Sequence, residues 1–244
     1  MQRPTGPPTQ PADAASGTPV GRRVVLGMVA LGGLGVVLGS RVNSALTALS
    51  AKDPTGLTGL IPGSGRFRFY SVVSGVDEVP PAEYRLRVEG LVERPMELTL
   101  EELAALPQTG MTKDVQCVTG WRVEDVQWSG VLLSDLLSHA GAAADAGAVL
   151  FGSSDGLYTE SLTMEQALRP DVLVATGMLG GPVTHDHGGP VRLYVAPMYF
   201  YKSLKWLDRI TVARAVEPGY WEVRGYDEDA WVGQSNGRSD DAIT

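Results

Sequence analysis

Four short apolar runs, AVLF at 148–151, DVLVA at 171–175, VRLYVA at 191–196 and RITVA at 209–213, are parted by loops rich in Gly and Pro. Runs of this length between chain breakers build strands, since a helix needs a longer periodic stretch to bury a face. YRLRVEGLV at 84–92 alternates, with Tyr84, Leu86 and Val88 on one face and Arg85, Arg87 and Glu89 on the other, and predicts a half-buried strand. The helices are short. Thr99 with Glu102 forms a capping box ahead of Leu103 and Leu106, with Pro107 as the stop, and Thr163 with Gln166 repeats the device before Pro170. VLLSDLLSHAG predicts a third helix, with Leu132, Leu133, Leu136 and Leu137 at helical spacing and an end near Gly141. Strands outnumber helices and do not alternate with them regularly, so the expected fold class is a mixed, strand-rich α+β domain with antiparallel sheets.

Composition bounds the partners. A chain of 244 residues with 43% hydrophobic and 20% charged residues can bury one large core or two small ones. Its net charge of -8, without a long Lys/Arg run, repels a phosphate backbone and excludes nucleic acid as a partner. Residues 1–20, rich in Pro, Gly, Ala and Ser, offer little apolar surface and are expected to be disordered. Next, Arg22-Arg23 precede an uncharged run that lasts until Arg41, the layout of a signal peptide. The paired arginines and Leu26 resemble a twin-arginine export signal, while Gly21, Val25 and Gly27 depart from it. As a helix the run would reach only ~26 Å, short of a hydrocarbon core of ~30 Å, which favours a signal over a stable span. Ala48-Leu49-Ser50 is a weak cleavage site, so cleavage and retention of 21–50 as a membrane anchor both stay open. The expected location is extracytoplasmic. A Gly/Pro-rich linker at 51–65 then leads to a domain at 66–234 and a mobile tail at 235–244.

Export sharpens a puzzle, because exported proteins use cysteines in pairs and this chain has a single one, Cys117, within KDVQCVTGWRVEDVQWSG. It cannot form an internal disulfide. It is either a small packed hydrophobe or a nucleophile or metal ligand, and its neighbours Thr119, Gly120, Trp121, Arg122 and Trp128 suit either reading. A second cluster, HDHGGPVRLYVAPMYFYKSLKW at 185–206, gathers two of the three histidines with Arg192, Lys202 and Lys205, a candidate anion pocket. Within it, His185 and His187 have the spacing of a metal pair on an extended segment, which would suit a zinc hydrolase. Loop histidines held by water or backbone, and lysines on a solvated turn, are the plainer readings.

Together the two clusters look familiar. CVTGW followed by the Trp128-to-Leu137 segment, and HGGPVRLYVAP followed by YKSLKW, resemble the molybdopterin-dependent oxidoreductases of the sulfite oxidase fold. The resemblance runs from about Arg66 to Trp231 and is nearest to the exported bacterial members, which include methionine sulfoxide reductases; PGYWEVRGY resembles the single-domain members. It implies that Cys117 gives a thiolate to molybdenum, a soft donor beside the two dithiolene sulfurs of the pterin. It also implies that the cofactor is Mo-molybdopterin and that His187, Arg192 and the segment Ser203, Leu204 and Lys205 contact the pterin and its phosphate. His187 stands where the methionine sulfoxide reductases have Asn, and Ser153 falls where they place a cofactor-binding Thr. The first contact region would lie near Phe69-Tyr70-Ser71.

The reaction so implied is two-electron oxygen-atom transfer with a small-molecule oxo donor or acceptor, either S- or N-oxide reduction or sulfite-type oxidation. Arg122 and Tyr201, with Tyr199 as an alternative, are the candidate catalytic groups on the substrate side. The chain lacks a CxxCH haem motif, so the expected electron-transfer partner is external, a membrane haem subunit or a cytochrome. The alternative is a noncatalytic module that keeps the fold to bind an anion or a partner.

Overall fold

The alternating segment becomes strand β1 (Leu86–Gly90), with Leu86 and Val88 fully buried and Arg87 and Glu89 turned outward. The protein is described here from a computed structural model covering residues 67–68, 70–73 and 75–243; the expectations for 1–20, 21–50 and 51–65 lie outside the described residues. After β2 (Met96–Leu98), Thr99 caps α1 (Leu100–Ala105), and both halves of its capping box with Glu102 are formed. The hairpin β3 (Thr109–Gln116) and β4 (Arg122–Leu132) leads into α2 (Leu133–Ala140), which ends at Gly141 with φ of 70°. Then follow β5 (Ala148–Ser153), β6 (Thr159–Thr163), and α3 (Met164–Ala167) behind the Thr163–Gln166 capping box. The chain continues through β7 (Val172–Met178), β8 (Gly181–Pro182), β9 (Arg192–Val195) and β10 (Leu207–Ala213). Three 3₁₀ turns, His185–His187, Phe200–Lys202 and Glu222–Arg224, fall between or after these strands. No helix among the described residues is long and apolar enough to cross a membrane.

The strands form two sheets, ordered β2-β1-β10-β5-β6 and β3-β4-β7-β8, with β9 also paired to β7. The fold is α+β and strand-rich, but one expectation needs correction: β1 and β10 run parallel, with Arg87 opposite Arg209, while the other named strand pairs are antiparallel. That pair joins segments far apart in the chain, and local periodicity carries no information on their direction. β7 shows why DVLVA is apolar throughout. Val172 and Val174 enter one core with Leu136, Phe151 and Ile210, while Leu173 and Ala175 enter a second with Trp121, Trp128 and Tyr194. A strand buried on both faces cannot alternate polar and apolar residues.

Residues 235–243, where a mobile tail was expected, lie against the domain. Ser235 is buried, Arg238 pairs with Asp240 at 3.0 Å, and Asp240 accepts the Tyr199 hydroxyl at 2.8 Å. The Tyr199–Asp240 bond, which holds the tail to the domain, joins groups distant in sequence and leaves no periodic trace.

Candidate active site

Cys117 stands at the closure of the β3–β4 hairpin. Its N–H donates to the Trp121 carbonyl at 2.9 Å, and the Gly120 N–H donates back to the Cys117 carbonyl at 2.9 Å. Gly120 has φ of 95°, a left-handed conformation that glycine adopts without strain. The turn thereby presents the sulfur on the wall of a cavity of about 410 Å³. Thr119 donates its hydroxyl to the sulfur at 3.2 Å.

Arg192, at the start of β9, lines the same cavity and is 1% exposed. Its guanidinium donates to the carbonyls of His187 and Ser203, the latter at 2.7 Å, and lies 4.3 Å from the Phe200 ring centroid. No carboxylate is among these partners, and burial pulls its pKa down to about 9. A buried cation held by neutral acceptors and ring faces is poised for an anion. Lys205 lines the cavity too, donating to the Asp186 carbonyl at 2.7 Å. Burial, and after it the charge of Arg192, push the Lys205 ammonium down to about 8. Gly188 makes room for this lysine: a Cβ there would come within 2.6 Å of the Lys205 Cβ, and its φ is 94°.

A pH effect follows from Lys205. Below about 8 the ammonium is charged in the empty site; above it the group is neutral and attracts a phosphate less. Affinity of the cofactor-free protein for molybdopterin is therefore expected to fall as pH rises through about 8, with proton uptake on binding at higher pH. Equilibrium binding at pH 7 and 9 checks this, and Lys205→Met should flatten the difference. Equal slopes in both proteins would show that another group controls it.

The other sequence candidates divide. Ser203 lines the cavity and accepts the Val195 N–H on its hydroxyl at 3.0 Å. Tyr201 lines it as well, but its phenol donates to the Asp227 carbonyl at 2.6 Å and accepts from Asn236 at 3.1 Å, so the hydroxyl is held by the protein. Tyr199 bonds Asp240. Ser153 accepts the Asp155 N–H at 3.3 Å, which shapes the β5–β6 loop, and Leu204 is packed in the core. His187 is not on the cavity wall; its ring meets Phe67 edge-on at 4.7 Å, and burial, then Arg192 and Lys205, hold its pKa below the usual imidazole range.

Two expectations about charge are corrected. Arg122, expected to face substrate, is bound to Asp114 at 2.6 Å and to the carbonyls of Asp241 and Ala242. Lys202, expected in the anion pocket, is 1% exposed and sits 2.7 Å from carboxylate oxygens of both Glu160 and Glu222. Burial opposes its charge, yet the two carboxylates outweigh burial and raise its pKa. His185 and His187 lie on a 3₁₀ turn rather than an extended segment, and among the described residues no three His, Cys, Asp or Glu side chains gather to hold a metal ion. The zinc reading therefore lacks a donor set.

Sequence reasoning missed the aromatic wall: Tyr158, Tyr220, Trp221 and Tyr226 also line the cavity. The density of rings in PGYWEVRGY was its visible signal. Tyr158 arrives through a turn in which the Asp155 carboxylate accepts the N–H groups of Leu157 and Tyr158. Its phenol donates to the Tyr201 carbonyl at 2.7 Å, and burial, then Glu160 and Glu222, raise its pKa well above the usual range.

One thiol, a fully buried arginine and a lysine, facing a single cavity, are the parts of a site for an anionic, thiolate-binding redox cofactor. The family model described as oxidoreductase molybdopterin binding domain matches residues 73–221, and the chain belongs to that family. It is 37% identical over 154 residues to the uncharacterized oxidoreductase YuiH of Bacillus subtilis, covering 62% of this chain and 77% of the relative. It is 33% identical over 237 residues to a putative protein-methionine-sulfoxide reductase subunit, YedZ1, of Azospira oryzae, covering 89% and 88%. The sulfite oxidase of Arabidopsis thaliana is 30% identical over 177 residues, and the match spans 59% of this chain and 45% of that enzyme. Among solved structures, the sulfane dehydrogenase SoxCD of Paracoccus pantotrophus superposes with a TM-score of 0.58 at 26% identity, over 63% of this chain and 44% of that one. The protein is thus a molybdopterin-dependent oxidoreductase of the sulfite oxidase fold, and its cofactor is Mo-molybdopterin.

The site fits that cofactor. Arg192 is a buried cation short of an anion, Gly188 clears space for Lys205, and the thiol shares their cavity.

Proposed function

We propose that this chain is the exported catalytic subunit of an S- or N-oxide reductase that draws electrons from a separate redox partner. The carrying observation is the shared cavity of Cys117, Arg192 and Lys205. In this reading Arg192 and Lys205 neutralise the pterin phosphate, the Ser203 segment fixes the pterin edge, and Cys117 is the protein's sulfur ligand to the metal. Bound there, molybdenum supplies two-electron oxygen-atom exchange. Tyr158 keeps its proton through the neutral range and spends it on the Tyr201 carbonyl, so this part of the wall presents a neutral ring and not a phenolate.

The direction of reaction is supported by the relative that matches most of both chains, which is named as a reductase subunit; the word subunit also favours a separate electron partner. Sulfite-type oxidation is the second reading, favoured by the match to sulfite oxidase. Export rests on Arg22-Arg23 and the uncharged run behind them.

The test uses holoenzyme of measured molybdenum content, assayed with reduced viologen and a small sulfoxide or N-oxide, and separately with sulfite and ferricyanide. Oxide-dependent oxidation of the dye, R₂SO + 2H⁺ + 2e⁻ → R₂S + H₂O, is the expected result. Sulfite turnover alone would reverse the assignment, and full molybdenum loading with neither activity would favour a noncatalytic module. Fractionation of cells carrying Arg22→Lys/Arg23→Lys should find the variant retained in the cytoplasm.

A further inference from the structure

Five rings of the cavity wall touch in series. Tyr158 stacks on Tyr220 at 5.4 Å, Tyr220 meets Trp221 edge-on at 5.3 Å, Trp221 meets Tyr226 at 5.1 Å, and Tyr226 meets Tyr201 edge-on at 5.3 Å. They come from the β5–β6 connection, the Phe200–Lys202 turn and the segment 220–226, so tertiary folding builds the wall. Next to it lies the group Glu160, Lys202 and Glu222, with two carboxylates to one ammonium. Each member is tied to a ring: Glu222 follows Trp221, Lys202 follows Tyr201, and Glu160 lies two residues beyond Tyr158. After burial, the charges of Glu160 and Glu222 are what raise the Tyr158 phenol, so their field reaches the wall.

We propose that this wall is a subsite for a positively charged, alkylated nitrogen, and that the oxide reduced is a tertiary amine N-oxide. The inference rests on the reductase reading above. Ring faces attract a cation most strongly when it brings little hydration with it, as an alkylated nitrogen does. One ring already does so, since the Arg224 guanidinium lies over the Tyr220 ring, 3.6 Å from its centroid. The phenols of Tyr158 and Tyr201 donate to carbonyls, so the wall offers ring surface and not free hydroxyls. On this wall a sulfite dianion would meet ring faces with Glu160 and Glu222 buried behind them, whereas Arg192 and Lys205 line the cavity elsewhere. The exposed Arg68 also lines the cavity, but it is solvated and compensates little. In the reaction R₃N⁺–O⁻ + 2H⁺ + 2e⁻ → R₃N + H₂O the N–O bond breaks, the oxygen leaves as water, and a reduced haem protein or dye supplies the two electrons.

Holoenzyme of known molybdenum content, assayed with reduced methyl viologen, tests this. Trimethylamine N-oxide should exceed dimethyl sulfoxide in kcat/KM, and tetramethylammonium should compete about tenfold more tightly than uncharged tert-butanol, the scale of a desolvated cation–ring contact. Trp221→Leu should lower both ratios toward one, and Trp221→Phe, which keeps a ring, should retain most of each. Equal competition by the two probes, or ratios unchanged in Trp221→Leu, would overturn the subsite. Should sulfite alone be turned over, the reductase reading fails; quenching of tryptophan fluorescence by tetramethylammonium, against tert-butanol, still decides whether the subsite exists.

Discussion

Cys117→Ala is expected to abolish oxygen-atom transfer while leaving the pterin in place. The sulfur belongs to a half-buried side chain on the cavity wall and accepts one bond in the turn, from the Thr119 hydroxyl, whereas the backbone closure of the hairpin uses the Cys117 N–H and carbonyl. Removing the thiol therefore leaves the turn intact, and the melting temperature should stay within about 2 °C, as for substitutions away from the core. Activity should fall by at least ~100-fold, since losing a metal's outer partners alone costs 10–100-fold and this change removes a ligand. Pterin released on denaturation should remain near stoichiometric, because Arg192 and Lys205 are untouched. Turnover within tenfold of wild type, at equal molybdenum content, would remove Cys117 from the metal.

Lys202→Met should be the most damaging single substitution for stability. It leaves Glu160 and Glu222, 2% and 9% exposed, without their shared cation. Breaking a buried ion group in this way costs about 3–5 kcal/mol, a fall of roughly 6–20 °C in Tm for a domain of this size. The loss should depend on pH. Burial raises the folded pKa of Glu160 well above its usual value, with Lys202 opposing and Glu222 adding to the rise. A raised carboxyl is neutral in both states at low pH and destabilises the fold as pH climbs from its unfolded value toward its folded one. Without Lys202 that window extends upward, so the deficit should widen between pH 4.5 and 7.5. Melts at both values measure it. The triple replacement Glu160→Gln/Lys202→Met/Glu222→Gln, which removes the charges together, should recover part of the loss, since uncharged groups of similar volume avoid the desolvation penalty. A deficit that is constant with pH would assign it to lost packing.

Much of the site was legible in the chain. Cys117, Arg192 and Lys205 stood out because a lone thiol and a cationic cluster are rare in an acidic, cysteine-poor sequence, and the two motifs carrying them resemble a known family. Arg122 and Lys202 were misread because a charge reveals its task only through its partners. Asp114 lies on the facing strand and the tail carbonyls come from the chain's end, while Glu160 and Glu222 come from β6 and the last 3₁₀ turn. No pattern near Lys202 marks it as buried. The hairpin β3–β4 went unread as structure because its polar and apolar residues serve two sheet faces and a turn at once.

What the amino-acid order determined by itself is local: the alternation of β1, the two capping boxes and the glycine end of α2. Each depends on hydrogen bonds or side-chain directions within a few residues, so a short window contains the whole cause. Tertiary structure alone decided that β1 and β10 run parallel, that five rings meet on one wall, and that Arg192 and Lys205 line the cavity while Lys202 is spent on Glu160 and Glu222. Those outcomes depend on burial and charge compensation between segments far apart, and such energies exist only once the chain has brought the segments together.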